Sequence, residues 1–227
     1  MLPSRSSRRR APVRKVRRSS PGRRSSPGPR KYVPSDERRQ QILGAAGELF
    51  AHRGFAGTTT RQIAAAVGTT ETVLFRHFPT KESLYAAILE HRVPAAAVDR
   101  WLGELKTLAD RRDDQGLFRA VAEAILDSFR KDMVYHRLMM YASLEGHDLA
   151  RIARSKYSGP FLGFLRDYVA RRQAEGAFKR MRPEWVVHVL VSTTTQYAQW
   201  AALGENVLGL TEAEVARQAV ALVLALE

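Results

Sequence analysis

From Ser35 to the C-terminus, apolar residues recur at spacings of three and four, which is the period of an amphipathic α-helix. The clearest stripe lies between Gly116 and Lys131 and consists of Phe118, Val121, Ala122, Ile125, Leu126 and Phe129. No convincing segment in this part of the chain alternates between apolar and polar residues as a half-buried strand would. The fold class is therefore predicted to be all-α, with about nine helices.

The first predicted helix begins at Ser35, which is expected to act as its N-cap because two acidic residues follow in the first turn. This helix places Ile42, Ala46 and Phe50 on one face, and Gly54 ends it.

The segment from Gly54 to Leu84 predicts a helix-turn-helix motif within about residues 59–78. A second helix begins near Thr59 or Thr60, a tight turn at Gly68 follows, and a third helix begins with Thr70 as its cap. The third helix has a polar face and an apolar face, as a DNA-reading helix requires. Its outward residues are Thr70, Glu71, Thr72 and Arg76, and its inward residues are Leu74 and Phe78. Periodicity alone leaves open an ordinary helical hairpin whose threonines serve only as caps.

Further helices are predicted over most of the remaining chain. The expected ranges are 81–91, a bend at Pro94, a helix through Trp101 to about 110, then 116–131, 132–141, 148–174, 184–203 and 211–226. The domains implied are a tail (1–34), a DNA-binding domain (35–93) and a C-terminal helical domain (94–227).

The first 34 residues carry most of the net charge of the chain. They hold twelve of the 37 Lys and Arg residues and no acidic residue, which leaves 25 basic against 23 acidic residues elsewhere. The hexapeptide RRSSPG occurs at 17–22 and again at 23–28. A segment with so little to bury is expected to be disordered, either as an arm that tracks DNA phosphates or as a merely solvated tail.

The composition excludes several kinds of protein. The sequence has no cysteine, so disulfides and thiolate metal sites are absent, and no metal or other cofactor is predicted. No run of 18 apolar residues and no signal peptide is present, so the chain is expected to be soluble, intracellular and not associated with a membrane. The six histidines lack metal-ligand spacing, and phosphate-binding and nucleophile motifs are missing, so no enzymatic activity is predicted.

The N-terminal motif resembles that of the TetR family of bacterial transcriptional regulators. The resemblance covers about residues 36–93 and rests on Phe50, Gly54, Phe55, Thr59, Thr60, Ile63, Ala64, Gly68, Leu74, His77, Phe78, Lys81, Glu82 and Leu84. It implies a homodimer whose two recognition helices enter successive major grooves of a palindromic operator.

The resemblance also implies roles for individual residues. Phosphate contacts are expected from Thr60, Arg61, His77 and Lys81. The residues expected to face the major groove are Thr70, Glu71, Thr72, Val73 and Arg76. Phe75, also counted in the DNA-binding set, stands where the family usually has a phosphate-binding Tyr, and Thr72 stands where a Gly is common. The basic tail is expected to compensate for the missing hydroxyl.

The last two predicted helices are apolar around much of their circumference, which requires burial by their own domain or by another chain. The resemblance assigns a dimer interface there, formed by Val187, Leu190, Val191, Trp200, Val215, Ala219 and Leu222. The alternative is that these residues form a monomeric core.

A ligand pocket is expected within the C-terminal helices, because Met and aromatic side chains line adaptable apolar cavities. Its predicted residues are Trp101, Phe129, Met139, Met140, Tyr141, Phe161, Phe164 and Tyr168, which are alternatively ordinary core. Few charges interrupt these stretches, so the ligand is expected to be apolar.

The sequence therefore predicts a DNA-binding transcriptional regulator, a repressor released from a palindromic operator by a small, mostly apolar ligand. Its expected partners are double-stranded DNA, a second copy of itself and that small molecule, and its expected place is the nucleoid in the cytoplasm. The alternative function is a sequence-independent architectural protein that binds DNA through the basic tail.

Overall fold

A computed structural model describes residues 34–146 and 148–225, so the predicted basic tail lies, except for Pro34, outside the described residues. Every regular element within these ranges is helical, which confirms the all-α prediction. In chain order the helices are α1 (Ser35–Arg53), α2 (Thr60–Ala66), α3 (Glu71–His77), α4 (Lys81–Arg92), α5 (Ala95–Asp110), α6 (Asp114–Lys131), α7 (Met133–Leu144), α8 (Asp148–Ala153), α9 (Gly159–Ala174), α10 (Pro183–Ala202) and α11 (Glu212–Leu224).

Threonine caps fix the starts of the three helices after α1. The Thr59 hydroxyl accepts a hydrogen bond from the backbone N–H of Gln62 at the start of α2, and Thr70 caps α3 in the same way through Val73. Thr80 begins α4 with a reciprocal cap to Ser83. The predicted starts of the second and third helices are therefore confirmed.

The start of α1 differs from the prediction. Ser35 is the first residue of the helix and not its cap, because the extended Pro34 already supplies the first helical acceptor, its carbonyl, to the N–H of Arg38. The helix ends at Gly54, as predicted. Gly54 has a φ of 73°, which residues with a side chain rarely adopt, and its backbone N–H donates a hydrogen bond to the Phe50 carbonyl.

The helix predicted over 148–174 is interrupted, which was not foreseen. A π-helical turn at Arg154–Ser158 separates α8 from α9. Pro160 explains the interruption, because it has no N–H to donate to the preceding turn and its ring favours the first turn of a new helix. The bend predicted at Pro94 is confirmed, since α4 ends at Arg92 and α5 begins at Ala95.

The described residues form two hydrophobic cores. The C-terminal core is built from α5, α6, α9, α10 and α11. The N-terminal core is built from α1 to α4 together with α7, whose Leu138 and Ala142 are buried in it. Helix α7 therefore packs in the N-terminal core although it lies in the C-terminal part of the chain, beyond the predicted boundary at residues 93 and 94.

Within residues 34–146 and 148–225, no helix is both long enough and apolar enough to cross a membrane.

Candidate DNA-binding surface and ligand cavity

Helix α3 is anchored from one side and exposed on the other. Leu74 is fully buried in the N-terminal core, and Phe78, which follows the helix, is 2% exposed. Thr72, Phe75 and Arg76 are exposed on the opposite face, as expected for a helix that presents side chains to DNA. The predicted inward residues and the exposed positions of Thr70, Thr72 and Arg76 are therefore confirmed, whereas Glu71 is half-buried.

Two residues of the predicted DNA-contacting set bind each other. The Thr60 hydroxyl at the start of α2 donates a hydrogen bond of 2.5 Å to a carboxylate oxygen of Glu71 at the start of α3. Because a hydroxyl has one proton to donate, Thr60 reaches a phosphate as a donor only if this bond opens. The bond links the start of α2 to the start of α3, and the neighbouring Arg61 is exposed.

Lys81 points inward, toward the loop between α1 and α2. Its ammonium donates to the Phe55 carbonyl and lies 4.2 Å from the centroid of the Phe55 ring. Burial is the main cause that lowers its pKa, while the nearby Glu145 carboxylate acts in the opposite direction. This hydrogen bond and the ring contact attach the start of α4 to the loop and direct the ammonium toward it.

Two cations near α3 were missed by sequence reasoning, which considered α1 only for its apolar face. The Arg39 guanidinium lies 4.9 Å over the Phe78 ring, and Arg38 donates to the Val67 carbonyl at the end of α2. The pKa of His77 is lowered, first by desolvation and then by the positive charges of Arg76, Arg39 and Arg38. Helix α1 therefore adds positive charge beside the recognition helix. The adjacent arginines after the acidic first turn were the available signal.

Helix α7 is bonded to the N-terminal module along its length. Just before its first residue, Asp132 accepts a hydrogen bond of 2.5 Å from Arg92 at the end of α4. Near its middle, the Leu138 carbonyl accepts from the buried Tyr85 hydroxyl. Just after its last residue, the Glu145 carboxylate accepts from the backbone N–H groups of Phe55 and Ala56.

A cavity of about 450 Å³ lies beside the Pro94 bend, between α4, α5, α6, the start of α7 and the start of α9. Two of the predicted pocket residues line it, Trp101 and Phe161, whose ring centroids are 4.9 Å apart. The other lining residues are Arg92, Val93, Ala97, Val98, Ala124, Ile125, Ser128, Lys131, Asp132, Tyr135, His136 and Ser158. The wall is mainly apolar and includes three charged residues, Arg92, Lys131 and Asp132.

The other predicted pocket residues do not line this cavity. Phe129 stacks behind the wall on the ring of His136 at 3.5 Å between centroids, and Phe164 and Tyr168 pack in the C-terminal core. On α7, Met139 packs against the N-terminal core. The two remaining residues bond elsewhere: Tyr141 to the His52 carbonyl, and Met140 to Gln199. Residue type alone does not separate pocket from core, because the same apolar side chains serve both.

His136 is a neutral polar group in the cavity wall at neutral pH. Burial is the main cause that lowers its pKa, to about 4, although Asp132 and a hydrogen bond with Ser128 act in the opposite direction. The Ser128 hydroxyl donates to the Ile125 carbonyl, so the His136 Nε2 atom, 3.1 Å away, is the donor in their contact. The ring therefore adds polarity to the cavity without adding charge.

The predicted dimer interface divides into two groups. Val187, Leu190, Val215 and Ala219 are at most 5% exposed within the C-terminal core of their own chain, so they have little surface left for a partner. The remaining predicted residues retain exposure: Leu222 is 49% exposed, and Val191 and Trp200 are half-buried. Two further apolar residues outside the predicted interface set are exposed, Trp185 on α10 and Leu162 on α9.

Within the same described ranges, no group of three or more His, Cys, Asp or Glu residues is arranged to hold a metal ion.

The described chain thus combines a capped helix-turn-helix, as found in DNA-binding domains, with a helical region that contains a cavity. Residues 42–88 match the family model of bacterial regulatory proteins of the tetR family. These residues therefore form a DNA-binding domain of the tetR type, with the helix-turn-helix formed by α2 and α3.

Named relatives are similar over different lengths. The transcriptional activator FasR of Mycolicibacterium smegmatis is 35% identical over 107 residues, which is 47% of this chain and 47% of FasR. The chain thus matches about half the length of that relative. The regulator RutR of Escherichia coli strain K12 is 29% identical over 180 residues, covering 77% of this chain and 80% of RutR.

The fold matches solved structures. AibR, crystallised with isovaleryl coenzyme A and operator DNA, has a TM-score of 0.65 at 19% identity, over 84% of this chain and all of that chain. At this identity the likeness concerns the fold.

Proposed function

We propose that the protein is a homodimeric repressor that binds a palindromic operator and is released from it by a small, mostly apolar ligand. The observation that carries the proposal is the exposed face of α3, with Thr72, Phe75 and Arg76 presented by a helix that Leu74 anchors in the core. A rigidly anchored helix can hold a side chain in the geometry that a base contact needs. A good bidentate contact to a base contributes about 1–3 kcal/mol of discrimination against the wrong base.

On DNA, Arg76 is assigned to a guanine in the major groove and Val73 to a thymine methyl group. Thr70 and Thr72 complete the groove-facing set, and Phe75 lies at its edge. The exposed Arg61 and the half-buried His77 are assigned to phosphates, with Arg39 as an addition from α1. For Lys81, Thr60 and Glu71, their bonds within the chain favour positioning of the motif over direct DNA binding in the free protein.

A homodimer gives the two-fold symmetry that a palindromic site requires. The surface proposed for it combines Val191, Trp200 and Leu222 with the exposed Trp185, all on α10 and α11. Aromatic residues at such a surface contribute large contact areas. We assign the protein no catalytic role, because its relatives are transcriptional regulators, and such a regulator acts on the nucleoid in the cytoplasm.

Ligand control is supported by the connection between the cavity and the DNA-binding module. Arg92 and Asp132 line the cavity, and Asp132 precedes α7, which packs against α1 in the N-terminal core. A ligand that changes the position of α7 changes the spacing of the two recognition helices. Couplings of about 1–3 kcal/mol, or 5- to 150-fold in affinity, are typical of such switches.

The basic tail is proposed to add phosphate contacts that Phe75, lacking a hydroxyl, does not make. Deletion of residues 1–34 is expected to weaken operator binding and to flatten its salt dependence, because the slope falls by about 0.9 for every phosphate that the protein no longer neutralises. An unchanged affinity and slope would show that the tail takes no part.

The proposal is tested by selecting duplexes from a random pool with the full-length protein. The expected result is an inverted repeat whose half-sites are about one helical turn apart, bound by two chains per duplex. Enrichment of no sequence, together with steep salt dependence on every duplex, would contradict the proposal and favour the architectural alternative. Enrichment of an asymmetric site bound by one chain would contradict the dimer.

A further inference from the structure

Three charged residues line the cavity, and two of them, Arg92 and Asp132, are hydrogen-bonded to each other. The three residues are Arg92 from α4, Lys131 from the end of α6, and Asp132 from the junction before α7. Arg92 is largely buried, with 19% of its side chain exposed, whereas Lys131 is 72% exposed. The lining therefore contains two cations and one anion.

Asp132 is already engaged as an acceptor. One of its carboxylate oxygens accepts from both the Arg92 guanidinium and the backbone N–H of Tyr135, which makes Asp132 the N-cap of α7. Its charge is thus balanced by Arg92 and by the positive end of the helix. Lys131 is paired with Asp127, which does not line the cavity, and His136 is neutral, so the lining side chains together carry a net charge of +1.

Arg92 has N–H groups left to donate. A guanidinium has five N–H groups in a planar fork. In the described part of the chain, Arg92 makes one hydrogen bond, from Nη1 to Asp132, and its Nη2 atom lies 3.9 Å from Glu48 of α1. A planar anion with two oxygens fits such a fork better than a neutral or cationic group does.

We infer that the ligand is an amphipathic monoanion, with an apolar body against Trp101 and Phe161 and a carboxylate that binds Arg92 in competition with Asp132. The inference rests on the proposed ligand-responsive function and specifies its chemistry. The cavity volume, about 450 Å³, lies in the lower part of the range of about 300–1,000 Å³ found for small-molecule sites, which suits a short acyl or aryl acid.

Competition for Arg92 also explains how occupancy reaches the DNA-binding module. The bond from Arg92 to Asp132 joins the end of α4 to the start of α7, and Arg92 lies beside α1 through Glu48. When a ligand carboxylate takes the guanidinium, α7 loses this attachment but keeps those at Leu138 and Glu145. Helix α7 is then expected to pivot about its remaining contacts.

The test uses calorimetric titration of the full-length protein with three ligands that share an eight-carbon chain: octanoate, 1-octanol and octylammonium. Acetate, an anion without the apolar body, is the fourth titrant. Octanoate is expected to bind at least about tenfold more tightly than octanol, because a charge-assisted bond to Arg92 is added. Octylammonium and acetate are expected to bind more weakly than octanol.

Variants of the ion pair separate the charge from the cavity. Arg92→Met is expected to remove the preference for octanoate and leave octanol binding within about twofold, since apolar contacts remain. Arg92→Lys keeps the charge and is expected to keep part of the preference. Asp132→Asn retains helix capping but removes the competing charge, so octanoate is expected to bind about five- to tenfold more tightly.

Tighter binding of octylammonium, equal binding of the three eight-carbon ligands, or no binding of any would overturn the inference. A preference for octanoate that survives in Arg92→Met would overturn the assignment to Arg92. Operator selection, which needs no ligand, is run with the same preparations. A protein that selects an operator but ignores these ligands refutes the ligand chemistry and leaves the proposed DNA recognition standing.

Discussion

The two hydrophobic cores of the described chain are built for different tasks. In the N-terminal core, the largest side chains are fully buried, including Phe50, Ile42 and Tyr85, and α3 is seated on it through Leu74. The C-terminal core is larger but leaves a cavity at its edge and exposes apolar side chains such as Trp185. A dense core holds a reading helix in a fixed position, whereas a core with spare volume and uncovered surface accommodates a ligand and a partner.

Helix α7 links these two regions. It follows the cavity-lining helix α6 in sequence but packs its buried face in the N-terminal core. It therefore joins the two regions, in addition to the direct connection of α4 to α5.

The largest expected effect concerns that buried face. Leu138→Ala is expected to lower the free energy of unfolding by about 2–5 kcal/mol, because Leu138 is fully buried and the change leaves a cavity. Urea unfolding followed by circular dichroism measures the change. Leu144→Ala, the same substitution at an 84% exposed position of α7, is the matched control and is expected to change it by less than about 0.5 kcal/mol. Equal effects at the two positions would contradict the packing of α7 in the N-terminal core.

The next largest effect is a pH dependence of the free energy of unfolding that arises from His136 in the cavity wall. The pKa of His136 is about 4 in the folded chain and 6.5 in its ordinary state, so the unfolded state binds a proton more readily. The free energy of unfolding is therefore expected to fall by about 2 kcal/mol between pH 6.5 and 4 on account of this residue. His136→Gln is expected to flatten this part of the stability profile.

The control for the pH experiment is His52→Gln, in the N-terminal module, where the side chain is 62% exposed. This variant is expected to retain the wild-type pH dependence. If His136→Gln leaves the profile as steep as the control does, burial of a neutral imidazole beside the cavity is refuted.

A smaller effect is expected where the end of α7 meets the loop before α2. Glu145→Gln replaces a charged acceptor of the Phe55 and Ala56 N–H groups with a neutral one. Operator affinity is expected to fall by about fivefold, corresponding to about 1 kcal/mol, because this loop leads into the motif. Fluorescence anisotropy with a labelled operator gives the affinity. Glu90→Gln, which removes a salt bridge from α4 to Lys156, is the control. An equal decrease in the control would rule out a special role for Glu145.

The smallest expected effect is an increase in DNA affinity. Phe75→Tyr adds a hydroxyl at an exposed position of α3, where a phosphate bond contributes up to about 1 kcal/mol. Affinity is expected to rise by about two- to fivefold for the operator and for scrambled DNA alike, since phosphate contacts carry no sequence information. A gain confined to the operator would instead place residue 75 against a base.

Local signals made the N-terminal module predictable. Threonine caps, glycine turns and the period of buried residues are properties of neighbouring residues, so α2 and α3 and the burial of Leu74 followed from the sequence. The errors arose where distant segments meet. The inward orientation of Lys81 depends on the Phe55 carbonyl, and the membership of α7 in the N-terminal core depends on contacts across more than 80 residues of chain.

The cavity was the least predictable feature for the same reason. Of the predicted pocket residues, only Trp101 and Phe161 line it. A cavity forms where helices that are distant in sequence do not pack closely, and the type of a residue does not predict where this happens. Its polar lining, with Arg92, Asp132 and His136, was not foreseen at all. The interruption at Pro160, by contrast, was readable from the sequence and was overlooked.

The central claim, that the exposed face of α3 reads base sequence, is tested most directly by affinities for the selected operator and a scrambled duplex over a salt series. The wild-type protein is expected to prefer the operator by about a thousandfold or more at physiological salt. Arg76→Ala is expected to lose about 1–3 kcal/mol of that preference while its binding to scrambled DNA changes little. A wild-type protein that binds both duplexes equally, or an Arg76→Ala variant that keeps the full preference, would contradict the account.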